Sequence, residues 1–456
     1  MFGLFSSRPP LSTNQRVDIE LLVRRTVSVF GREFVCAQSA VSSLSEFIDA
    51  EPAKANTVSD DFDSEERVRF VHETLCRRMA IEPHSVTLAI VNDDQLTEAF
   101  AYQPSRDDSA AEVQVNSLVA DDDLRLVTTI ANALAFHVWT KRGDRDLDTD
   151  PRTTMLLPVI MGLGVLVADA ALYDDQWSTG GWSGWSLSRL GHYNAMEVGF
   201  AMACVATLCG DDKPAWMTSL RLDARATAKR SLRYFRDLQS KGGERLLDAS
   251  RVPSETREES VLANWIAGED PDWAVAALRT VSQRAAVADT YLSSAVLDST
   301  IAATKSTDQA VQTSAITAFA FANPESMSPA IESALMRLSK SRSPQTVLAA
   351  IESATALGLP HGSFLDSADW LLQRESFDQL PVADWVRRGG TQCVVLQPVI
   401  CAHLVDAIRF DHQVAMQALA SCLSSISDDV EAVIRRYVRD PEMQTRAREI
   451  TLQQSK

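Results

Sequence analysis

One helix, apolar on two opposite sides, most constrains how this 456-residue chain can fold. It begins in the acidic run at Asp121 and continues to Trp139 without a glycine or proline. At about 100 degrees per residue, one of its faces carries Val127, Ile130, Leu134 and Val138. The opposite face carries Asn132, Phe136 and Trp139. A helix that is apolar on both sides is buried between layers of other elements, so the sequence predicts a core helix here.

The spacing of apolar residues changes along the chain, which indicates mixed secondary structure in the first 150 residues. Residues 15–49 and 60–78 have helical spacing, whereas 85–91 has the composition of a strand. Val113 and Val115 alternate with polar residues, the pattern of a half-buried strand. The remainder is predicted to be helical almost throughout. The expected fold is therefore an α+β N-terminal part followed by an all-α region, mostly α overall.

Three patterns in this part of the chain resemble one protein family. Residues 129–137, Thr-Ile-Ala-Asn-Ala-Leu-Ala-Phe-His, are similar to its T-I-A-H-E-L-A-H helix. Residues 156–165 resemble the L-L-P-V-x-x-G-x-G helix that follows, and 184–189 resemble its Gly-Trp-Ser-x-Ser-Arg pattern. The family comprises the zincin-type (HExxH) metallopeptidase-like bacterial proteins. The resemblance covers roughly residues 15–210 and implies a zincin-like domain.

Carried over position by position, the resemblance implies a degenerate zinc motif. The two histidine ligands would be Asn132 and Phe136, and the glutamate general base would be Ala133. The downstream carboxylate would fall near Met155, with Asp150 as a shifted substitute. A catalytic zinc needs three protein ligands and an open position for water. The resemblance therefore implies neither zinc nor catalysis, with the ring of Phe136 filling the space of the ion.

Two other histidines near these elements are weaker candidates for a metal site. His137 lies one residue beyond the motif, so it faces a different direction and is expected to be a surface or hydrogen-bonded side chain. Together with Asp150 it is the alternative ligand set for zinc. His72 and Cys76 have the i, i+4 spacing of a ligand pair. Without a third ligand in the sequence, Cys76 is expected to pack in the core.

A segment rich in glycine and tryptophan is the candidate binding region. The sequence predicts a loop over residues 177–185, and the candidate residues in and after it are Trp177, Trp182, Trp185, His192, Tyr193 and Glu197. Tryptophans beside glycines can form a platform for sugars or peptides, but they can also cap a helical body. The structural role is the favoured interpretation, and the last three residues form a candidate polar site.

The C-terminal half contains a weak internal repeat. Val275, Val311 and Val347 are spaced 36 residues apart, and each lies in an alanine-rich segment that a second helix follows. A helix pair of this length is the unit of an α-solenoid, so the sequence predicts a solenoid-like (HEAT-like) stack, with a helical bundle as the alternative. The expected parts are a flexible tail (1–14), the zincin-like domain (15–150), a helical extension packing on it (151–243) and the repeat domain (244–456).

The composition of the chain disfavours some classes of binding partner and indicates the cellular compartment. The formal net charge of -17 disfavours nucleic acid and anionic membranes, and the apolar run 155–168 is too short to span a bilayer comfortably. Seven scattered cysteines without a C-x-x-C pair predict free buried thiols in a reducing, cytoplasmic setting. The basic helix over 221–236 could dock on an acidic surface, although a solvated face is the first interpretation.

Three functions follow from these patterns. The leading hypothesis is a non-catalytic pseudo-metallopeptidase that acts as a protein-binding or scaffold protein, without cofactor and with a protein or peptide partner. The second is a metal-dependent hydrolase with non-standard ligands such as His137, Asp150 and His192. The third is a pure helical-repeat interaction module. The sequence does not indicate an oligomeric state.

Overall fold

The computed structural model divides the chain into two compact units, Met1–Ser250 (unit 1) and Arg251–Lys456 (unit 2). It describes residues 9–49, 64–92, 99–104, 110–120, 122–142, 151–171, 173–179, 182–188, 193–374 and 380–454. Helix accounts for 73% of the protein, so the expected predominance of helix is confirmed, together with a small sheet near the N-terminus. The finer division at 14, 150 and 243 stays a prediction.

Unit 1 combines helices of very different lengths. They are α1 (Thr13–Phe30), α2 (Arg32–Ala37), α3 (Leu44–Asp49), α4 (Ser64–Arg78), α5 (Ser117–Ala120), α6 (Asp123–Arg142), α7 (Pro151–Pro158), α8 (Gly164–Ala170), α9 (Ala195–Leu208) and α10 (Leu222–Ser240). The side chain of Ser12 accepts a hydrogen bond from the backbone N–H of Gln15 and caps α1. Gly31, at a φ of 86°, ends α1 and separates it from α2. The expected helical region over 15–49 is therefore three helices.

The sheet of unit 1 has three strands, β1 (Val86–Val91), β2 (Phe100–Gln103) and β3 (Ala111–Asn116), in the order β1-β3-β2. β1 pairs with β3 in parallel, and β2 pairs with β3 antiparallel. Both predicted strands are confirmed. In β3, Ala111, Val113 and Val115 are buried and alternate with half-buried polar residues, as the two-residue period required.

Helix α6 is the centre of one hydrophobic core in unit 1. It contacts β2, β3, α4, α7 and α8. Ile130 and Leu134 are fully buried on one face, and Trp139 is 3% exposed on the other. The prediction of a helix buried on two sides is confirmed. It follows that two of the positions compared with a zinc motif, Asn132 and Ala133, are buried inside the protein.

The connection between α7 and α8 is an irregular π-helical turn over Val159–Leu163. Gly162 has a φ of 85° there, and its carbonyl oxygen accepts a hydrogen bond from Val41 N–H at 2.9 Å. Arg78 donates to the carbonyl oxygens of Met161 (3.0 Å) and Ser39. The buried apolar helix expected over 155–168 is therefore interrupted at a glycine that the surrounding backbone and Arg78 enclose.

A second core in unit 1 lies between α9 and α10. Gly199 of α9 is so close to Ala224 of α10 that a Cβ on the glycine would meet the carbonyl oxygen of Ala224. Phe200 and Phe235 pack edge to face in the same layer, with ring centroids 5.5 Å apart. The close approach explains why position 199 of α9 is a glycine.

Cys36 and Cys209 form a disulfide, with Cα atoms 5.4 Å apart and a sequence separation of 173 residues. The expectation that all seven cysteines are free is therefore wrong for this pair. The other five, Cys76, Cys204, Cys393, Cys401 and Cys422, are free and buried as predicted. Sequence spacing could not reveal the bridge, because α2 and α9 meet only through the tertiary fold.

Unit 2 is helical throughout its described residues. Its α-helices are α11 (Glu259–Ala267), α12 (Pro271–Ala288), α13 (Ser294–Ala303), α14 (Gln309–Phe319), α15 (Pro329–Leu338), α16 (Pro344–Ala356), α17 (Leu365–Leu372), α18 (Leu380–Gly389), α19 (Gln397–Arg409), α20 (Gln413–Ile426), α21 (Val430–Tyr437) and α22 (Pro441–Gln454). α12 packs on α14, α14 packs on α16, and α11 packs on α13. Val275, Val311 and Val347 are buried at equivalent places in α12, α14 and α16.

One stretch of unit 2, Leu380–Arg409, is long and apolar enough to cross a membrane by length and composition. It consists of α18, a 3-10 segment (Gly390–Leu396) and α19. Trp385 and Leu404 are fully buried in the core of unit 2. The stretch thus resembles a core element of a folded domain, and the predicted absence of a membrane span is compatible with the structure.

Candidate functional site

Helix α6 presents the residues that correspond to the degenerate motif. Ala133 is fully buried and Asn132 is 6% exposed, while Phe136 is half-buried. The ring of Phe136 packs against that of Tyr102 on β2, with centroids 5.3 Å apart. Aromatic packing therefore occupies the face at which the resemblance places a metal ion. None of these three side chains can ligate zinc through nitrogen or take up a proton.

The polar groups on this face of α6 are poorly satisfied. Within the described residues, Oδ1 of Asn132 and Oγ1 of Thr129, one turn earlier, are buried without a hydrogen-bond partner. A buried amide oxygen without a partner costs stability. The described residues also contain no group of three or more His, Cys, Asp or Glu side chains that could hold a metal ion. This face of α6 is thus packed like a core, and the described residues offer it no group of metal ligands.

His137 lies beside this face and is only 2% exposed. Its Nδ1 is 3.1 Å from the hydroxyl oxygen of Tyr102, and its Nε2 is 3.5 Å from Oγ of Ser85, just before β1. Burial, with a smaller contribution from the Lys141 ammonium group, lowers the pKa of His137 to about 4. The imidazole is therefore neutral at physiological pH, and it is the hydrogen-bonded histidine that the sequence favours.

One proton of this network has a fixed direction. Oγ of Ser85 donates its single proton to the carbonyl oxygen of Glu82 at 2.7 Å, so towards His137 it can only accept. The hydroxyl of Tyr102 also forms a hydrogen bond with the side chain of Thr140, so towards Nδ1 of His137 it is a donor in one imidazole tautomer and an acceptor in the other. Burial raises the pKa of Tyr102, which keeps that hydroxyl protonated.

Ser85, His137 and Tyr102 follow one another as the nucleophile, the base and the orienting group of a catalytic triad do. They resemble a triad in this sequence of contacts only. A general base must accept the proton of the nucleophile, but here the hydroxyl of Ser85 donates its proton to the carbonyl oxygen of Glu82 and not to His137. The third member is a phenol and not a carboxylate, and the low pKa of the imidazole makes it a weak base. The arrangement is therefore a structural network that joins β1, β2 and α6.

The other ligand pair expected from sequence spacing does come together. Nε2 of His72 and Sγ of Cys76 are 3.2 Å apart on α4. Burial lowers the pKa of His72 and raises the pKa of Cys76 to about 12. Within the described residues no third His, Cys, Asp or Glu side chain completes a metal site with this pair. Cys76 is fully buried, so its predicted role in core packing is confirmed.

The composition of the glycine–tryptophan segment predicted a loop, and this prediction is wrong. The segment is a two-stranded antiparallel hairpin. Its strands are β4 (Tyr173–Thr179) and β5 (Trp182–Ser188). In its register, Gln176 pairs with Trp185, Trp177 with Gly184, and Thr179 with Trp182. Two consecutive glycines between the strands in sequence are a hairpin signal. The proposed binding role of the three tryptophans stays a prediction.

The candidate polar site after the hairpin is described only in part. His192 and Asp150 lie outside the described residues. Tyr193 is buried, at 3% exposure. The carboxylate of Glu197 accepts from the backbone N–H of Asn194 and from the side chain of Gln15, both at 2.9 Å. Glu197 is thus committed to capping α9 and to holding α1.

The basic helix predicted over 221–236 is α10. Its buried face contains Ala224, Ala228, Leu232 and Phe235. Arg225 donates to the carbonyl oxygen of Leu220 (2.6 Å), whereas Lys229, Arg230 and Arg233 are exposed. The last three have no ion-pair partner in the part of the chain that the structure describes. This stripe is a positively charged surface on an otherwise acidic protein.

Comparisons with known proteins give no relative. No protein-family model, no curated protein and no solved structure matches this chain. The functional inference therefore depends on the residues described above and on the resemblance of the α6 region.

Proposed function

We propose that this chain is a non-catalytic, zincin-like pseudo-metallopeptidase that acts as a protein-binding or scaffold protein. The observation that carries the proposal is the packed face of α6. Asn132, Ala133 and Phe136 occupy the positions that correspond to two zinc ligands and a general base, and the first two are buried. Without ligands, base or room for water, this centre would not hydrolyse a peptide.

The surroundings of α6 support the zincin-like part of the proposal. A zincin keeps its active helix against a strand edge on one side and helices on the other. Here α6 contacts the edge strand β2 as well as α4, α7 and α8. These contacts support a zincin-like origin of this part of unit 1, in which the reactive residues would have been replaced.

Unit 2 supports the binding part of the proposal. Packing of α12 on α14 and of α14 on α16, with α11 on α13 beside them, is the neighbour pattern of stacked helix pairs. We infer a HEAT-like array in this unit. Such arrays present extended surfaces to other proteins. The same packing favours a second candidate function, a helical-repeat interaction module in which unit 1 is only a structural partner.

The alternative of a hydrolase with non-standard ligands has less support. Its central residue would be His137, whose two ring nitrogens are occupied by Tyr102 and Ser85. Binding a metal would break at least one of these buried hydrogen bonds. Among the described residues, no three His, Cys, Asp or Glu side chains form a group that could hold a metal ion there.

The test of the non-catalytic role is metal analysis of the full chain combined with a peptidase assay on unfolded protein substrate. We expect far less than one zinc per chain and no turnover. Stoichiometric zinc, with turnover that a chelator abolishes, would overturn the proposal. The variant His137→Ala tests the alternative of a hydrolase with non-standard ligands. Turnover that is lost in this variant would support the hydrolase.

The binding role is tested with the purified full chain. A partner captured by crosslinking should bind directly, and its affinity should fall when Phe410 and Val414, which are 70% and 68% exposed in unit 2, are changed to aspartate. Val287→Asp, at an 89% exposed position of the same unit, is the matched control. Direct binding that none of these variants weakens would argue against unit 2 as the binding surface. Absence of any directly binding protein would argue against a scaffold role.

A further inference from the structure

The disulfide of unit 1 joins two helix ends. Cys36 is the next-to-last residue of α2, and Cys209 directly follows α9 as its C-cap. With Cα atoms 5.4 Å apart, the two residues are in the range of ordinary disulfides. The bond is the only covalent link between two side chains in the described residues.

The two sulfur atoms belong to residues that differ in access to solvent. Cys36 is exposed, whereas Cys209 is half-buried. The five free cysteines of the described chain are all buried. Thiol–disulfide exchange requires that an incoming thiolate reach one sulfur of the bond. Cys36 is therefore the sulfur that a dissolved thiol can attack.

The position of Arg32 favours departure of the other sulfur. Its guanidinium group donates a hydrogen bond to the carbonyl oxygen of Leu208, the residue before Cys209. A thiolate on Cys209 would lie at the negative end of the α9 dipole, which opposes its charge. The guanidinium cation of Arg32, which binds the carbonyl oxygen of the neighbouring Leu208, offsets part of this effect.

We propose that the Cys36–Cys209 bond is a site of thiol–disulfide exchange with a small thiol of the glutathione class. The thiolate attacks Sγ of Cys36, a mixed disulfide forms there, and Cys209 leaves as a thiolate that takes up a proton from water. A second thiolate then attacks the mixed disulfide, releases Cys36 as a thiol and forms the oxidised small-molecule disulfide. Two electrons pass from the two small thiols to the protein.

Reduction has a defined structural consequence. α2 is six residues long and follows Gly31, whose φ of 86° and empty surroundings allow it to act as a pivot. Without the disulfide, α2 is held on α9 mainly by the Arg32 hydrogen bond and by burial of Val35. Amide exchange in α2 should therefore become faster on reduction, while exchange in α6 stays unchanged.

The experiment treats the native full chain with reduced glutathione, quenches with acid and maps the modified cysteines by mass spectrometry. We expect a Cys36–Cys209 bond before treatment and a glutathione adduct on Cys36 during it. Cys204, a fully buried thiol on α9, is the internal control and should stay unmodified until denaturant is added. Hydrogen exchange of α2 and α6 is measured on the same samples.

Two single variants test the asymmetry. In the native state, maleimide should label Cys36 of the Cys209→Ser variant faster than Cys209 of the Cys36→Ser variant, by roughly tenfold or more. If neither variant folds, the proposal is still tested by the position of the glutathione adduct and by hydrogen exchange of α2 in the unmodified chain. A bond that is absent, that resists glutathione until the protein is denatured, or that gives the adduct on Cys209 would overturn the proposal.

Discussion

The hydroxyl oxygen of Tyr102 lies 3.1 Å from Nδ1 of His137, beside the face of α6 that carries Asn132 and Phe136. The bond joins strand β2 to helix α6 and is continued through Nε2 to Ser85 before β1. The regions of β1, β2 and α6 are thus connected through one neutral imidazole, and His137 has a structural role in unit 1.

Removing the hydroxyl in Tyr102→Phe should destabilise unit 1 by about 1–3 kcal/mol, because Nδ1 of His137 would be left buried without its hydrogen-bond partner. The measurement is hydrogen exchange of α6 amides in increasing denaturant. Tyr291→Phe is the control, since Tyr291 is 61% exposed and should change stability by less than about 0.5 kcal/mol. Equal effects of the two substitutions would show that the buried hydrogen bond contributes nothing.

Stability should fall as the pH decreases from about 6.5 to about 4. Burial places the pKa of folded His137 near 4, below the value near 6.5 expected in the unfolded chain. The unfolded state therefore binds the proton first, and the contribution is complete above about pH 7 and lost towards pH 4, by up to about 3 kcal/mol. Burial also lowers the pKa of His72, which acts in the same direction.

An NMR titration of the imidazole signals checks this value directly, and unfolding free energies at pH 7 and pH 5 check its consequence. In His137→Gln the decrease between these two pH values should be smaller than in the unmodified chain. A titration midpoint of His137 above pH 6 would contradict the burial of a neutral ring.

The variant Asn132→Leu should be neutral or more stable by about 1 kcal/mol, because it removes a buried amide oxygen that has no partner within the described residues. Asn194→Leu is the matched control. Asn194 caps α9 through a hydrogen bond from Glu197 N–H at 3.0 Å, so its loss should cost about 1 kcal/mol. Thermal unfolding of both variants is the measurement. A large destabilisation in Asn132→Leu would mean that the amide has a partner or ligand.

Gly162→Ala should destabilise unit 1 by more than about 2 kcal/mol. Its φ of 85° disfavours any Cβ, and that Cβ would lie 2.5 Å from Ser39 O and 2.6 Å from Nη2 of Arg78. Gly242→Ala has a similar φ of 73° but open space around it, so it should lose only about 1 kcal/mol. Comparable unfolding midpoints for both variants would show that the enclosure of Gly162 by Arg78 is not rigid.

Local patterns predicted β1, β3 and α6 of unit 1. The alternation around Val113 required a strand, and the two apolar faces of the segment from Asp121 required a buried helix, because both signals depend only on residues close in sequence. The 36-residue spacing likewise located buried valines in α12, α14 and α16. Their relation in space follows from packing, which spacing alone suggests but does not determine.

Features that depend on residues far apart in the chain could not be predicted from the sequence. The bridge between Cys36 and Cys209 joins positions 173 residues apart, and the partners of His137 come from two different strand regions. The hairpin of β4 and β5 is a different case. Its Gly180-Gly181 pair was a visible turn signal, but the density of tryptophan and glycine favoured a loop over strands.

The bond between Cys36 and Cys209 encloses the sheet, α6 and α9 in one covalent ring. A protease that cuts the chain once anywhere between these two cysteines opens the ring but does not release a fragment. The nicked protein keeps its full mass on a non-reducing gel and separates into two pieces only after a reductant is added. A single proteolytic cut between Cys36 and Cys209 is therefore not detected on a non-reducing gel as long as the disulfide is intact.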